Sequence, residues 1–328
     1  MSLYTLHYIT NILDTIKAKK PITLDLIDNL KEWFKVELTY TSNAIEGNTL
    51  SRTQTAQVIN DNQTIGNKTI QEHLEAVNHA QAFDYVMQQI GTTKKDISLK
   101  TIFNIHQLIL QKIDDTNAGR FRTVSVKIAR SRVIMPNSLK IPELMNEFIT
   151  WLHDTDIDTP TLAVQAHLKF VSIHPFVDGN GRTARLLMNL ILLQSDYPPT
   201  IISKEDRQTY LSAIEKVQLG GSSAQYYNFM YQAINKSLDL YVNTVLNKEQ
   251  KQALNKKDLL KIGELSKITG ENISTIRYWT NEKLIAIDNY TKSGYQLYNQ
   301  NAVTLISKIR QLQREKRLTL TEIKKELS

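Results

Sequence analysis

Residues 174–185 read HPFVDGNGRTAR, and this segment joins two helical runs whose patterns set the class of the fold. Upstream, TLAVQAHLKFVSI begins at Thr159-Pro160, a capping residue followed by proline at the first helical position, and Pro175 halts the run after His174. Downstream, Arg182 to about Gln194 is apolar almost all round, from Leu186 to Leu193, which marks a helix buried at the centre of a bundle. Ser195, Asp196, Pro198 and Pro199 stop it. The twelve residues therefore form a short loop between two buried helices. Gly (11) and Pro (7) are scarce in 328 residues, so a mainly α body is expected.

The loop carries chemistry. His174 is the last residue before a helix-breaking proline, so its ring projects from a helix end. Gly179-Asn180-Gly181 forms a turn in which two glycines permit positive φ and close backbone approach. Successive amides in such a turn make an anion nest, reinforced by the N-terminus of the helix behind it. Arg182 and Arg185, three apart, lie on the first helical turn, where cations oppose the helix dipole. Two placed there point to an anion between them. Asp178 is a hard-oxygen ligand suited to Mg²⁺ bridging phosphates. The set describes a polyphosphate site with a base at its edge, and a histidine so placed is expected to titrate in the physiological range. No Gly-Lys-Ser/Thr follows the GNG turn, so it is not a Walker loop, and no dinucleotide fingerprint is present.

Charge divides the chain. Residues 251–328 hold 15 of the 40 Lys and Arg and 8 of the 33 Asp and Glu, so the whole net charge of +7 lies there and residues 1–250 balance at 25 of each sign. A neutral body with a basic appendage places any polyanion contact on the appendage. The absence of cysteine excludes disulfides, zinc–thiolate sites and cysteine nucleophiles. The run Leu186 to Leu193 is too short to cross a bilayer, and MSLYTLHYITNILDTIKAKK lacks the pattern of a signal peptide, so a cytoplasmic location without membrane contact is expected.

Three further stretches matter. In TVSVKIARSRVIMP (123–136), β-branched residues alternate with polar ones, predicting a β-hairpin that lies on the bundle as a flap with an unpaired edge. Residues 241–260 are polar and Lys/Gln/Asn-rich, a linker with helical composition. In TSNAIEGNTL (41–50), Ser42 and Glu46 share a helix face and Gly47 is a natural C-terminal stop. A glutamate in a last helical turn sits at the unfavourable end of the dipole, which implies a cationic partner.

Taken whole, the 174–185 string resembles the signature of Fic-domain proteins, HPFx(D/E)GNGRxxR, without a mismatch. The likeness extends over Ala118-Gly119-Arg120-Phe121-Arg122, the flap and a helix ending Thr150-Trp151-Leu152, and covers roughly residues 1–240. The resemblance implies a helical Fic bundle and transfer of AMP from ATP to a protein hydroxyl, that is, a protein adenylyltransferase (nucleotidyltransferase). His174 would be the general base toward a target Ser, Thr or Tyr, and Phe176 would anchor the loop. Asp178 would hold Mg²⁺, and Gly179, Asn180 and Gly181 would cradle phosphates. Arg182 and Arg185 would neutralise the leaving pyrophosphate. The flap would pin the target segment by strand addition. Gly181 disfavours the branch of the family that phosphorylates, where a lysine stands. Ser42, Glu46 and Gly47 resemble the family's inhibitory motif, (S/T)xxxE(G/N), which implies that Glu46 pairs with Arg185 and occupies the γ-phosphate position. An alternative is a de-AMPylating hydrolase in which Glu46 orients water on the same site. Adenine contacts are expected from the Tyr210–Tyr231 segment, where core packing accounts for the residues equally well.

Residues 261–285, KIGELSKITGENISTIRYWTNEKLI, read as helix, glycine turn, helix, with Ile262, Leu265 and Ile268 on one apolar face, Ile276, Trp279 and Leu284 on another, and Ser274 as cap of the second helix. A wing follows around Lys292-Ser293-Gly294, then helices Val303–Lys316 and Leu320–Leu327. Residues 261–328 resemble the winged helix-turn-helix of MerR-type regulators, which implies DNA contacts from Arg277, Tyr278 and Tyr295. Gln296 stands where that family usually has arginine, and the long dimerisation helix is missing, so weak and mostly non-specific binding follows unless a homodimer formed through the body pairs two half-sites. A third reading is thus a DNA-binding regulator whose body senses nucleotide. The partners expected are ATP with Mg²⁺, a hydroxyl-bearing protein substrate, and DNA through the appendage.

Overall fold

The computed structural model describes residues 24–128, 131–245, 259–291, 294–299, 301–315 and 318–327. Contacts divide these residues into two compact units between Tyr241 and Val242. The first is helical: α1 (Leu24–Glu46), α2 (Arg52–Asn60), α3 (Ile70–Gln88), α4 (Leu99–Leu110), α5 (Ile141–Asp154), α6 (Thr159–Ile173), α7 (Asn180–Leu193), α8 (Arg207–Gln218) and α9 (Ala224–Val245). Local chemistry starts these helices. Ser51 with Gln54, and Thr69 with Glu72, close reciprocal capping boxes on α2 and α3. Helix α6 starts one residue earlier than its sequence suggests. The cap is Asp158, whose carboxylate accepts from Thr161 N–H, and Thr159 and Pro160 occupy the first helical positions.

Helix α7 is the axis of the bundle. Every residue from Arg182 to Leu193 is buried, and α6, α3, α4 and α1 pack around it. Each large apolar side chain removed from water contributes about 1.5–3 kcal/mol, and Leu186 to Leu193 supply seven of them. The loop that precedes it is anchored in the same core. The Phe176 ring is fully buried, 6.0 to 6.3 Å from Phe103, Phe121 and Phe170 and stacked 3.6 Å from His106.

The paired hairpin expected over residues 123–136 is not formed among its described residues, 123–128 and 131–136, which form no strand and share no ladder. The base of the flap is held by a side chain instead. Arg122 is buried, and its guanidinium donates to the carbonyls of Val124 (3.0 Å), Pro136 (2.6 Å) and His174 (2.7 Å). Ser138 Oγ takes the Thr123 carbonyl, and farther out Ser131 Oγ and Arg132 N–H bond Glu215 on α8. A lone hairpin gains little from its own pairing, so bonds to the bundle decide its path.

The second unit has the antiparallel sheet order β1-β3-β2 (Leu260–Lys261, Gln296–Tyr298, Asn289–Tyr290) and helices α10 (Ile262–Thr269), α11 (Ile273–Asn281), α12 (Asn301–Glu315) and α13 (Leu320–Leu327). Its core joins Leu265, Ile276, Trp279, Tyr298, Ile306 and Ile323. Gly270, at φ +72°, ends α10 in the left-handed conformation that glycine favours. Asn272, not Ser274, is the residue preceding α11, and Ile268 lies 38% exposed rather than in the core. The helical linker expected at 241–260 falls largely outside the described residues; α9 reaches Val245. Among the described residues no helix is long and apolar enough to cross a membrane.

Arg122→Met would strand three carbonyls at once. We expect it to lower the unfolding free energy by about 3 kcal/mol and to open residues 123–136 to limited proteolysis. Chemical denaturation and digestion time-courses measure the two effects.

Candidate functional site

His174 closes α6 in the left-handed region, at φ +52° and ψ +60°, with its N–H bonded to Phe170 O (2.9 Å) and its carbonyl taken by Arg122. The main chain is thus gripped on both sides of the side chain. Ring Nδ1 lies 3.3 Å from the Val171 carbonyl. A carbonyl can only accept, so Nδ1 carries the proton and Nε2 keeps its lone pair. Burial pushes the ring's pKa below the ordinary 6.5, helped by the charge of Arg122 and opposed by the Val171 bond, Glu46 and Asp178. The shift is downward, so near neutrality the ring is mainly in its neutral, proton-accepting form.

The loop after it is shaped by its own side chains. Asn180 accepts from Phe176 N–H and donates to Phe176 O, both at 2.9 Å, so its side-chain amide clips the loop shut. Gly179 is left-handed (φ +74°, ψ +2°) and Asn180 begins α7, the alternation that turns successive amides toward one side. Beneath them sits His106 of α4, fully buried, with Nε2 2.9 Å from Asp178 O and Nδ1 accepting from Gly119 N–H at 2.9 Å. Burial pushes its pKa down to about 4, against the raising effect of the Asp178 bond.

Two guanidinium groups flank the loop. Arg182 is only 3% exposed. Its Nη2 meets Asp178 Oδ2 at 3.2 Å and its Nη1 lies 3.6 Å from Glu75 Oε1, yet Nε and Nη1 make no hydrogen bond. Buried donors on a cation without acceptors demand an anion, so the donor set fits a polyphosphate. Arg185 already has acceptors. Its Nε donates to Ser42 Oγ (2.9 Å), and Nη2 donates to Ser42 O (3.0 Å) and Glu46 Oε1 (2.6 Å). Desolvation raises the Glu46 pKa, but the charges of Arg185, Arg182 and Arg207 and the bond from Arg185 outweigh it and hold the carboxyl below its usual 4.5. Gly47, at φ +109°, then turns the chain. Arg207 Nε donates to Ile45 O (2.6 Å), supplying a cation at the carbonyl end of α1.

The structure thus brings together His174, Asp178, Gly179, Asn180, Gly181, Arg182 and Arg185 with Ser42, Glu46 and Gly47. Within the Tyr210–Tyr231 segment, Tyr210, Tyr226 and Tyr231 are buried in the core, and the Tyr210 and Tyr226 hydroxyls each lie 2.7 Å from a ring nitrogen of buried His167. Sequence reasoning missed His106, Arg122, Glu75 and Arg207 as contributors. Only His106 left a trace, a histidine on the apolar face of LKTIFNIHQLIL.

The comparisons agree with this geometry. Residues 96–192 match the Fic/DOC family and residues 260–328 the MerR HTH family regulatory protein model. The solved Fic-1 (residues 134–508) from C. elegans is 30% identical, with TM-score 0.64 over 73% of this chain and 71% of that one. The chain belongs to the Fic/DOC family. Protein adenylyltransferase Fic of Drosophila virilis is 37% identical over 206 residues, 62% of this chain and 42% of that protein, so the chain spans about two fifths of the length of the curated relatives it matches. A Fic family protein from Desulfovibrio desulfuricans, 19% identical, shares the fold over 91% of this chain and 97% of its own with TM-score 0.59.

On the MerR-like unit, Arg277 and Tyr278 of α11 are exposed, as is Tyr295 before β3. Gln296, which departs from that family's arginine, accepts from Tyr298 Oη at 2.7 Å.

In the Fic loop, a Cβ built on Gly181 would fall 2.4 Å from Glu46 Oε1 and 3.0 Å from Arg185 Nη1. The glutamate tip is the part free to move. Gly181→Ala should therefore dislodge it and raise the Glu46 pKa back toward 4.5, a change read by carbon-13 NMR of the carboxyl.

Proposed function

We propose that the chain is an autoinhibited protein adenylyltransferase using Mg²⁺-ATP. The reading rests most on the buried guanidinium of Arg182, whose Nε and Nη1 lack hydrogen-bond acceptors, beside an imidazole whose Nε2 lone pair is free. In the transfer, a hydroxyl oxygen of the target attacks the α-phosphorus while its proton passes to His174 Nε2. The bond from that phosphorus to the α,β-bridging oxygen breaks, and pyrophosphate leaves with the electron pair, its charge met by Arg182, Arg185 and the loop amides. Asp178, 65% exposed beside Arg182, is the residue that would hold Mg²⁺, which when bound neutralises phosphate oxygens. The segment 123–136 would pin the target chain by strand addition.

Restraint follows from the same contacts. The Glu46 carboxylate takes the Arg185 donor that a terminal phosphate would use, so resting activity is low. Glu46→Gly should raise AMP incorporation, including automodification, several-fold or more, and adding His174→Ala should abolish it. Mass spectrometry after incubation with Mg²⁺ and ATP reads both the transferred group and its site. An unchanged Glu46→Gly rate would remove the inhibitory role, and transfer surviving His174→Ala would remove the base.

The pH dependence has a defined sign. A base whose pKa is lowered stays competent to lower pH, and loss of Glu46 removes one influence that raises it. The acid limb of kcat/KM for Glu46→Gly should therefore lie below pH 6.5, the ordinary histidine value.

For the basic unit, exposed Arg277, Tyr278 and Tyr295 favour weak contact with duplex phosphates. Arg277→Ala should weaken duplex binding about equally for all sequences and flatten its salt dependence by about one unit.

A further inference from the structure

The mechanism above makes no use of His106, a fully buried side chain that touches the phosphate loop from below. Its two bonds are directional. The partner of Nδ1 is the Gly119 N–H, which can only donate, and the partner of Nε2 is the Asp178 carbonyl, which can only accept. The ring is therefore the neutral tautomer with its proton on Nε2, and both nitrogens are fully used. Phe176, stacked 3.6 Å away at an interplanar angle of 6°, leaves no freedom to rotate out of this plane.

The Asp178 carbonyl and the Gly179 amide belong to one peptide unit. No peptide bond among the described residues is cis, and in a trans unit C=O and N–H point in opposite directions. Holding the carbonyl down against Nε2 therefore aims the Gly179 N–H up, away from the core and toward the face where Arg182 stands. That amide has no hydrogen-bond partner among the described residues. Gly179 is also the residue whose Cβ would meet His106 Cδ2 at 3.2 Å and Nε2 at 3.3 Å, so the ring approaches this peptide as closely as glycine allows.

We propose that His106 is a positioning residue for phosphate binding: by taking the Asp178 carbonyl it fixes the 178–179 peptide plane and presents the Gly179 N–H to the nucleotide's phosphate chain. The inference rests on the proposed function only in taking a nucleotide triphosphate as the ligand. It also gives the Gly119 turn, which leads into Arg122 and the flap, a direct tie to the phosphate loop through one imidazole.

The test uses full-length Glu46→Gly protein, with His106→Leu and His106→Gln added singly. A glutamine amide still donates toward Asp178, and leucine cannot. Calorimetry with Mg²⁺-ATP should show about tenfold weaker binding for the leucine variant and recovery to within about threefold for glutamine, the scale of one hydrogen bond to a charged phosphate. With glycine labelled by nitrogen-15, pyrophosphate should shift the Gly179 amide resonance in the parent and the glutamine variant but not in the leucine variant. A purely structural role would lower the melting temperature without this selectivity. If the leucine variant fails to fold, His106→Asn, too short to span both partners, replaces it as the loss variant. Unchanged ATP affinity and an unchanged Gly179 shift in the loss variant overturn the proposal, as does a glutamine variant no better than leucine. ATP binding without AMP transfer by the Glu46→Gly parent would sink the transferase reading and leave this one standing. A parent that binds no ATP sinks both.

Discussion

Two arginines on the first turn of α7 are buried at the head of a helix that is otherwise the apolar axis of the bundle. Desolvating a guanidinium costs several kcal/mol unless acceptors surround it. The fold provides them unequally. Arg185 finds Ser42 and Glu46, brought from α1 across most of the unit, whereas Arg182 keeps two nitrogens without hydrogen bonds. The same burial that makes α7 stable thus creates a demand for negative charge at its N-terminus, and Ser42 and Glu46 of α1 answer only half of it.

Around this demand the loop is held by side chains bonded to its main chain. Asn180 clips Phe176 at both its N–H and its carbonyl, and Arg122 grips the His174 carbonyl. Because a main-chain carbonyl only accepts and an amide N–H only donates, each bond also fixes a proton: on Nδ1 of His174 and on Nε2 of His106. The base is thereby poised without any acidic residue bonded to it, and the charge balance of the cleft is left to carboxylates that can move, Glu46 and Asp178.

Legibility in the sequence followed the range of the forces involved. The helices on either side of residues 174–185 could be read from periodicity, because α7 is apolar on all faces and α6 ends at a proline. The cluster from His174 to Arg185 was readable because it is contiguous, and Glu46 because a carboxylate at a helix C-terminus calls for a cation. The pairing of segment 123–136 was misread: alternation of β-branched residues describes an extended chain, while the choice between ladder and side-chain tether was made by Arg122, whose reach spans three separated carbonyls. The sequence did not show that the Asn180 side chain fastens the loop to both backbone groups of Phe176. Contacts between α4 and the loop, seventy-two residues apart for His106 and Asp178, have no local signal.

Arg122 ties the two ends of an exposed segment to the carbonyl of the residue that bears the base, and it does so from inside the core. An exposed strap anchored in this manner borrows the stiffness of the interior: its edges cannot drift without disturbing a charge that has nowhere else to go. Load applied to the segment is thus transmitted to the main chain beneath the imidazole rather than dissipated in solvent.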